Sequence, residues 1–288
     1  MEVMICPTAQ EVGERAADLV GAALALVSGR PPTLGLATGS SPLDLYAALG
    51  RRFRSGLMDP RELHGLALDE YVGLPTDHPE SYRNVLLRTA WDVWGLAPER
   101  LHVPDGSARG EVALAAGARA YEDLIAALGG VDVQILGIGA NGHLGFNEPG
   151  SSLRSRTRVK RLSDRTRRDN ARFFPSWEEV PTHCVTQGLG TITDARRLVL
   201  VATGDQKARA VADALEGPLT ASCPASVLQW HPDAVVVLDE RAAAFLQNRS
   251  YYDAAAQGLP GGEAASAREP RAAGEPDLAA PGPGDDRS

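Results

Sequence analysis

Apolar and polar positions along this chain alternate between two patterns: short continuous apolar runs, and longer stretches with a single apolar face at helical spacing. Val3 to Cys6 reads as a first short strand. Thr8-Ala9-Gln10-Glu11 then has the form of a capping box, and the apolar-periodic residues behind it predict a helix to about Ser28. Further strands are predicted at Thr33 to Ala37, Gly65 to Leu68, Val131 to Leu136, Leu198 to Ala202 and Ala234 to Leu238, with helical patterns between most of them. Parallel strands need crossovers, and crossover helices cover the sheet, so this alternation predicts an α/β fold: a Rossmann-like, mostly parallel sheet with helices on both faces. The pattern fades near residue 254. From there to Ser288 the chain is rich in Ala, Gly, Pro and charge, with Leu259 and Leu278 its large apolar residues, too little burial to offset the entropy of ordering. The expected organisation is one domain over 1–253 and a disordered tail over 254–288.

Composition narrows the partners. The 288 residues, 43% of them hydrophobic, can bury one full core. A formal net charge of -8 argues against a nucleic-acid or anionic-membrane binder, which needs clustered positive surface. No apolar run approaches membrane-spanning length, and the start Met1-Glu2-Val3-Met4-Ile5-Cys6 lacks the basic and long apolar segments of a signal peptide, so a cytoplasmic location is expected. Cys6, Cys184 and Cys223 are odd in number, far apart and without metal-ligand spacing, as expected of ordinary thiols.

Three segments carry chemistry. Leu136-Gly137-Ile138-Gly139-Ala140-Asn141-Gly142-His143-Leu144-Gly145-Phe146-Asn147-Glu148-Pro149-Gly150 places a His and a Glu on a Gly-rich turn directly after a buried strand, where open α/β sheets bind ligands. Leu34-Gly35-Leu36-Ala37-Thr38-Gly39-Ser40-Ser41-Pro42 reads as a strand, then small hydroxyl residues, then a helix start. Backbone N–H groups, hydroxyls and the helix dipole converge there, which suits a phosphate, although Ser and Thr also cap ordinary helices. In Ala67-Leu68-Asp69-Glu70-Tyr71-Val72-Gly73-Leu74-Pro75 two adjacent carboxylates end a strand. Neighbouring strand residues face opposite ways, which makes Asp69 the candidate inward base, unless it is a turn-forming Asp beside a surface Glu. Between Arg154 and Arg172 basic residues crowd one segment of an otherwise acidic chain. Following the His143/Glu148 turn, it reads as an electropositive lid over a phosphorylated substrate rather than a solvated face.

These blocks resemble the hexosamine-phosphate isomerase family, which includes the glucosamine-6-phosphate deaminases. The resemblance rests on Leu68 to Pro75 with His78-Pro79-Glu80-Ser81-Tyr82, on Gly142-His143 with Phe146-Asn147-Glu148-Pro149, and on Ser151 to Lys160, Val180-Pro181, Gly188 to Thr191 and Gln206-Lys207-Ala208. It covers roughly residues 1 to 250. It implies conversion of glucosamine 6-phosphate and water into fructose 6-phosphate and ammonia, in amino sugar catabolism, without metal or organic cofactor. It assigns isomerisation to Asp69 and ring opening to His143, with Glu148 orienting and tuning the imidazole, whose ordinary pKa suits proton transfer. Asn141 stands where many relatives carry Asp; an amide keeps the hydrogen bonds but not the charge, so the His143 pKa is expected to be raised, with fewer carboxylates around it than in those relatives. The resemblance also implies that Thr38, Gly39, Ser40, Ser41, Arg172 and Lys207 hold the substrate phosphate. It matches Ser151, Arg158 and Lys160 to an allosteric phosphosugar site between subunits, hence a possible homo-oligomer, while Arg161 departs from that pattern. The other histidines, His64, His78, His102, His183 and His231, are expected to be structural or surface residues. Two other functions fit the same fold. A 6-phosphogluconolactonase shares the Gly-His turn but lacks the Phe-Asn-Glu-Pro continuation, and a sugar-phosphate-sensing regulator would need a DNA-binding module for which the chain offers no segment.

Overall fold

A computed structural model describes residues 1–256. Seven parallel strands form its main sheet: β1 (Glu2–Cys6), β2 (Thr33–Leu36), β3 (His64–Ala67), β5 (Leu101–His102), β6 (Val133–Leu136), β9 (Arg197–Ala202) and β10 (Ala234–Asp239), in the order β1-β10-β9-β6-β2-β3-β5. Each of the six predicted strands lies within two residues of an observed strand, at β1, β2, β3, β6, β9 and β10. The first helix, α1 (Ala9–Ala25), is shorter than its apolar period suggested, because Gly29, at φ 77°, and Pro31-Pro32 turn the chain toward β2. Its N-terminus is capped as expected, with the Glu11 N–H donating to Thr8 Oγ1 at 3.2 Å.

Successive side chains of the central strands enter opposite cores. Leu198 and Leu200 pack on one face with α4 (Glu111–Ala127), α6 (Leu189–Thr193) and α7 (Asp205–Leu215). Val199 and Val201 pack on the other with α1 and α2 (Leu43–Arg54). Both faces are therefore covered, as predicted.

A second sheet was not legible beforehand. The chain leaves β3, spends one residue at Leu68, and enters β4 (Asp69–Tyr71), which pairs antiparallel with β8 (His183–Thr186); β8 in turn pairs with β7 (Arg158–Arg161). Leu68 belongs to both sheets, its N–H donating to Leu36 O at 3.0 Å and its carbonyl accepting the Gln187 N–H at 2.8 Å. Asp69 is thereby delivered at the seam.

The boundary expected at residue 254 falls inside α8 (Arg249–Ala256), whose last three residues continue a helix that meets β1. The rest of the expected tail lies outside the described residues. Among the described residues no helix is long and apolar enough to cross a membrane, and the three cysteines are unpaired thiols.

Candidate active site

The strand order reverses between β2 and β6, and ligands of open α/β sheets bind at such a switch point, beyond the carboxyl ends of the strands. The Thr38–Ser41 turn follows β2 and the Gly137–Gly150 turn follows β6. The two touch: a Cβ on Gly137 would lie 3.5 Å from that of Ser41. They line one cavity of about 810 Å³, into which Asp69, His143, Arg172 and Lys207 also open.

The helix after the first turn is α2, and its N-cap is Pro42, with no side-chain cap bond. Thr38, Ser40 and Ser41 are therefore not ordinary N-cap residues, and Thr38, Gly39, Ser40 and Ser41 all face the cavity. Lys207, in the first turn of α7, faces the same space. Burial lowers the pKa of its ammonium, with Arg172 and Arg165 adding to the effect against Asp169.

Alternation along β4 sorts the two carboxylates. Asp69 opens on the cavity while only 4% exposed. Burial, with the charge of Glu70, holds its pKa well above the usual carboxylate range. Glu70 accepts the backbone N–H groups of Tyr71, Tyr82 and Arg83 at 2.8, 2.9 and 3.0 Å, and so fixes the start of α3 (Tyr82–Leu86). The reading of Asp69 as a turn residue beside a surface Glu does not hold, since both are buried in a strand.

His143 lies on Gly139, where a Cβ would come within 2.2 Å of the imidazole, so the turn needs glycine there for ring placement. Gly142, at φ 81°, lets the chain turn back before it. His143 Nδ1 is 2.7 Å from Asn141 Oδ1, and Asn141 Nδ2 donates to Glu148 Oε2 at 2.8 Å. A carboxylate only accepts, so the amide nitrogen faces Glu148 and the amide oxygen faces the imidazole. Nδ1 therefore carries the proton and Nε2 keeps its lone pair. Glu148 Oε2 stands 3.9 Å from Nδ1, so the carboxylate reaches the ring chiefly through Asn141. Burial pushes the His143 pKa down despite the opposing charge of Glu148, and Lys207 and Arg165 push the same way. Tuning by Glu148 was expected to raise it, but burial dominates. Glu148 itself is raised by burial, and hydrogen bonds led by Thr166 and Asn141 outweigh this and hold it below the usual range.

The basic segment divides instead of forming one lid. Its first part is β7. Its second is α5 (Asp164–Asn170), followed by a 3-10 turn, Ala171–Phe173, and from these Arg165 and Arg172 line the cavity. Arg156 pairs with Glu122 and Asp194, and Arg167 is buried, donating to Val180 O at 2.9 Å with its guanidinium 4.1 Å over Trp177. Ser151, Arg158 and Lys160 lie outside the cavity. Arg158 and Lys160 stand opposite Thr186 and Cys184 on β8, and the buried Ser151 hydroxyl has no partner among the described residues.

The sequence reading missed Thr166, whose hydroxyl donates to Glu148 Oε1; Arg165, which it counted in the basic segment, lines the cavity. The signal for Thr166 was the cap Ser163-Asp164-Arg165-Thr166, in which the Thr166 N–H donates to Ser163 Oγ at 3.1 Å. His231 is buried against Ala195 O, and His64 and His102 bond each other at 3.0 Å, away from the cavity. Among the described residues no cluster of three or more His, Cys, Asp or Glu could hold a metal ion.

Residues 7–237 match the family described as glucosamine-6-phosphate isomerases/6-phosphogluconolactonase. The chain is 54% identical to a glucosamine-6-phosphate deaminase of Arthrobacter sp. strain FB24, over 88% of this chain and 95% of that one. It is 51% identical to a glucosamine-6-phosphate deaminase of Streptomyces avermitilis, over 90% and 98%. A solved monomeric glucosamine-6-phosphate deaminase superposes with a TM-score of 0.79 at 40% identity, covering 85% of this chain and 99% of that one. The 6-phosphogluconolactonase of Trypanosoma cruzi shares the fold, with a TM-score of 0.70 at 22% identity over 85% and 97%. With its hydroxyl turn and its His143 turn meeting at the switch point of the matched region, the chain belongs to the family of glucosamine-6-phosphate isomerases and 6-phosphogluconolactonases.

Proposed function

We propose that the chain catalyses isomerisation coupled to hydrolytic deamination, turning glucosamine 6-phosphate and water into fructose 6-phosphate and ammonia in cytoplasmic amino sugar catabolism. The observation that carries this is the meeting, on one cavity, of a turn of small hydroxyl residues before a helix, a buried carboxylate and an imidazole whose Nδ1 faces Asn141 Oδ1. The 54% and 40% identical relatives support the same substrate class.

The substrate phosphate is held by Thr38, Gly39, Ser40 and Ser41 at the start of α2, with Arg172 and Lys207 as cations. That anchoring orients the sugar toward His143 and Asp69. Neutral His143 takes the proton of the anomeric hydroxyl on Nε2 and gives it to the ring oxygen, which opens the pyranose to the aldehyde. Asp69 then takes the proton from C2 while the substrate's own ammonium passes one to the C1 oxygen, and the neutral C1–C2 enolamine forms. Returning the Asp69 proton to C1 leaves an iminium at C2, and addition of water there expels ammonia and leaves the ketone. Burial suits Asp69 to this, because a desolvated carboxylate is a stronger base once ionised. Every residue in these steps comes from one chain.

Lactone hydrolysis needs no proton shuttle between C2 and C1, and a sensing domain needs no buried base, so neither reading uses Asp69. A second phosphosugar site at Ser151, Arg158 and Lys160 belongs to the proposal as a regulatory site. It is supported by the Ser151 hydroxyl, which has no partner among the described residues, and by the half-buried Arg158, whose pKa burial lowers. Sigmoidal rate curves, made hyperbolic by an added phosphosugar and left sigmoidal in Arg158→Met, would establish it.

The reaction is tested by measuring ammonia and fructose 6-phosphate from glucosamine 6-phosphate, beside galactosamine 6-phosphate and 6-phosphogluconolactone. Ammonia from neither amino sugar would sink the reading.

A further inference from the structure

Thr166 sits in the first turn of α5, is 3% exposed, and has its hydroxyl engaged on both sides. It donates to Glu148 Oε1 and accepts Ser163 Oγ at 3.0 Å. The Glu148 carboxylate is thus held from two separate elements: by Asn141 of the turn after β6 at one oxygen, and at the other by Thr166 of α5, beside a longer bond of 3.4 Å from the N–H of Ser163, the N-cap of α5. An acceptor with a donor on each oxygen cannot rotate without losing a hydrogen bond. At the far end of α5, Asn170 Nδ2 donates to the Tyr71 hydroxyl at 2.9 Å, on the strand that carries Asp69. One short helix, bearing the cavity cation Arg165, is therefore bonded to both acid/base elements.

We infer that Thr166 is a positioning residue: its hydroxyl fixes the Glu148 carboxylate and, through Asn141, the Nδ1-protonated tautomer and ring plane of His143. This rests on the proposed role of His143 in ring opening. Without the hydroxyl, Oε1 keeps only the long 3.4 Å bond from the Ser163 N–H, and the Glu148 carboxylate can turn away from Asn141 Nδ2. The amide then has no group to keep its oxygen toward Nδ1. The tautomer protonated on Nε2 becomes populated, and in that form the nitrogen has no lone pair with which to take the anomeric proton. The sugar phosphate still binds, because Thr166 belongs to none of the groups assigned to the phosphate.

Thr166→Val keeps the shape and removes the donor. Its kcat should fall by about 10- to 100-fold, part of what a positioned general base supplies, with KM within about twofold of the parent. Thr166→Ser restores the donor and should recover most of the loss. In a Glu148→Ala background Thr166→Val should cost nothing further, because its effect runs through that carboxylate. The ring nitrogens of His143, observed by NMR in the protein without substrate, should change from a single Nδ1-protonated form to a mixture in Thr166→Val.

A full additional loss in the Glu148→Ala background, a raised KM at unchanged kcat, or unchanged ring nitrogens would overturn the inference. The NMR arm separates it from the proposed reaction. If the parent releases no ammonia from amino sugar phosphates while the nitrogens shift as described, the reaction is wrong and the positioning role stands. If the parent turns over and Thr166→Val leaves kcat and nitrogens untouched, the positioning role alone fails.

Discussion

Asn141→Asp adds one negative charge at the hinge of the His143 relay. In the parent, Asn141 Oδ1 is 2.7 Å from Nδ1, which places a carboxylate there about 4 Å from the centre of the imidazolium. Two unit charges at that separation interact by about 1 kcal/mol in water and about 4 kcal/mol at an effective dielectric of 20. At 1.36 kcal/mol per pKa unit this spans about 0.7 to 3 units. The new carboxylate would also stand where Asn141 Nδ2 now donates to Glu148 Oε2 at 2.8 Å. Two carboxylates so close share a proton over part of the pH range, so only a fraction of the charge acts on the ring. The expected shift is therefore about one unit upward from a pKa that burial has lowered. His143 must be neutral to take the anomeric proton, so activity is lost as pH falls through its pKa, and a higher pKa moves that acid limb to higher pH. Two measurements read the shift: NMR titration of the His143 ring, assigned by its absence in His143→Gln, and the pH profile of kcat/KM. Asn141→Ala is the control, losing the hydrogen bond without adding charge, and should lower kcat without an upward shift. A downward shift in Asn141→Asp, or an acid limb of unchanged shape in His143→Gln, would refute the relay.

Three further outcomes follow from the same geometry. Asp69→Asn should abolish solvent exchange at C2 and turnover while stabilising the fold, because it removes a buried carboxylate held well above its ordinary pKa. The sign is fixed by linkage. A raised native pKa means stability present at low pH is lost as pH rises through it, so the gain in Tm over the parent should widen from about pH 4 upward, and a gap independent of pH would count against the assignment. Gly139→Ala should lower kcat by about 100-fold or more with little change in KM, because the methyl would take the place of the imidazole 2.2 Å away, and near-parental kcat would show that the ring is not fixed there. Lys207→Met should raise KM for the sugar phosphate by about tenfold or more, the loss of one charge-assisted contact of about 1.5 to 3 kcal/mol, and competitive inhibition by inorganic phosphate should weaken in parallel; unchanged inhibition would remove Lys207 from the phosphate site.

Local pattern alone determined much of this protein. Continuous apolar runs such as Val131 to Leu136 have to be buried on both faces, which makes a parallel sheet with helices on each side the outcome. Glycine and hydroxyl residues placed just after such runs mark ligand-binding turns wherever the strands end up, and alternation along a strand was enough to send Asp69 and Glu70 opposite ways. Only the tertiary structure decided that the turns after β2 and β6 meet, because that depends on β2 and β6 pairing across the intervening β3 and β5. The small sheet was invisible for a similar reason: Arg158–Arg161 has the composition of a charged surface run and becomes a strand only because His183–Thr186 pairs with it. The direction of the His143 pKa shift was equally beyond the sequence. Glu148, five residues on, suggested a raised value, while the burial that lowers it comes from the chain packed around the turn. Thr166 acquired its place at Glu148 in the same way, since a capping residue near the start of a helix has no catalytic neighbour until the fold supplies one.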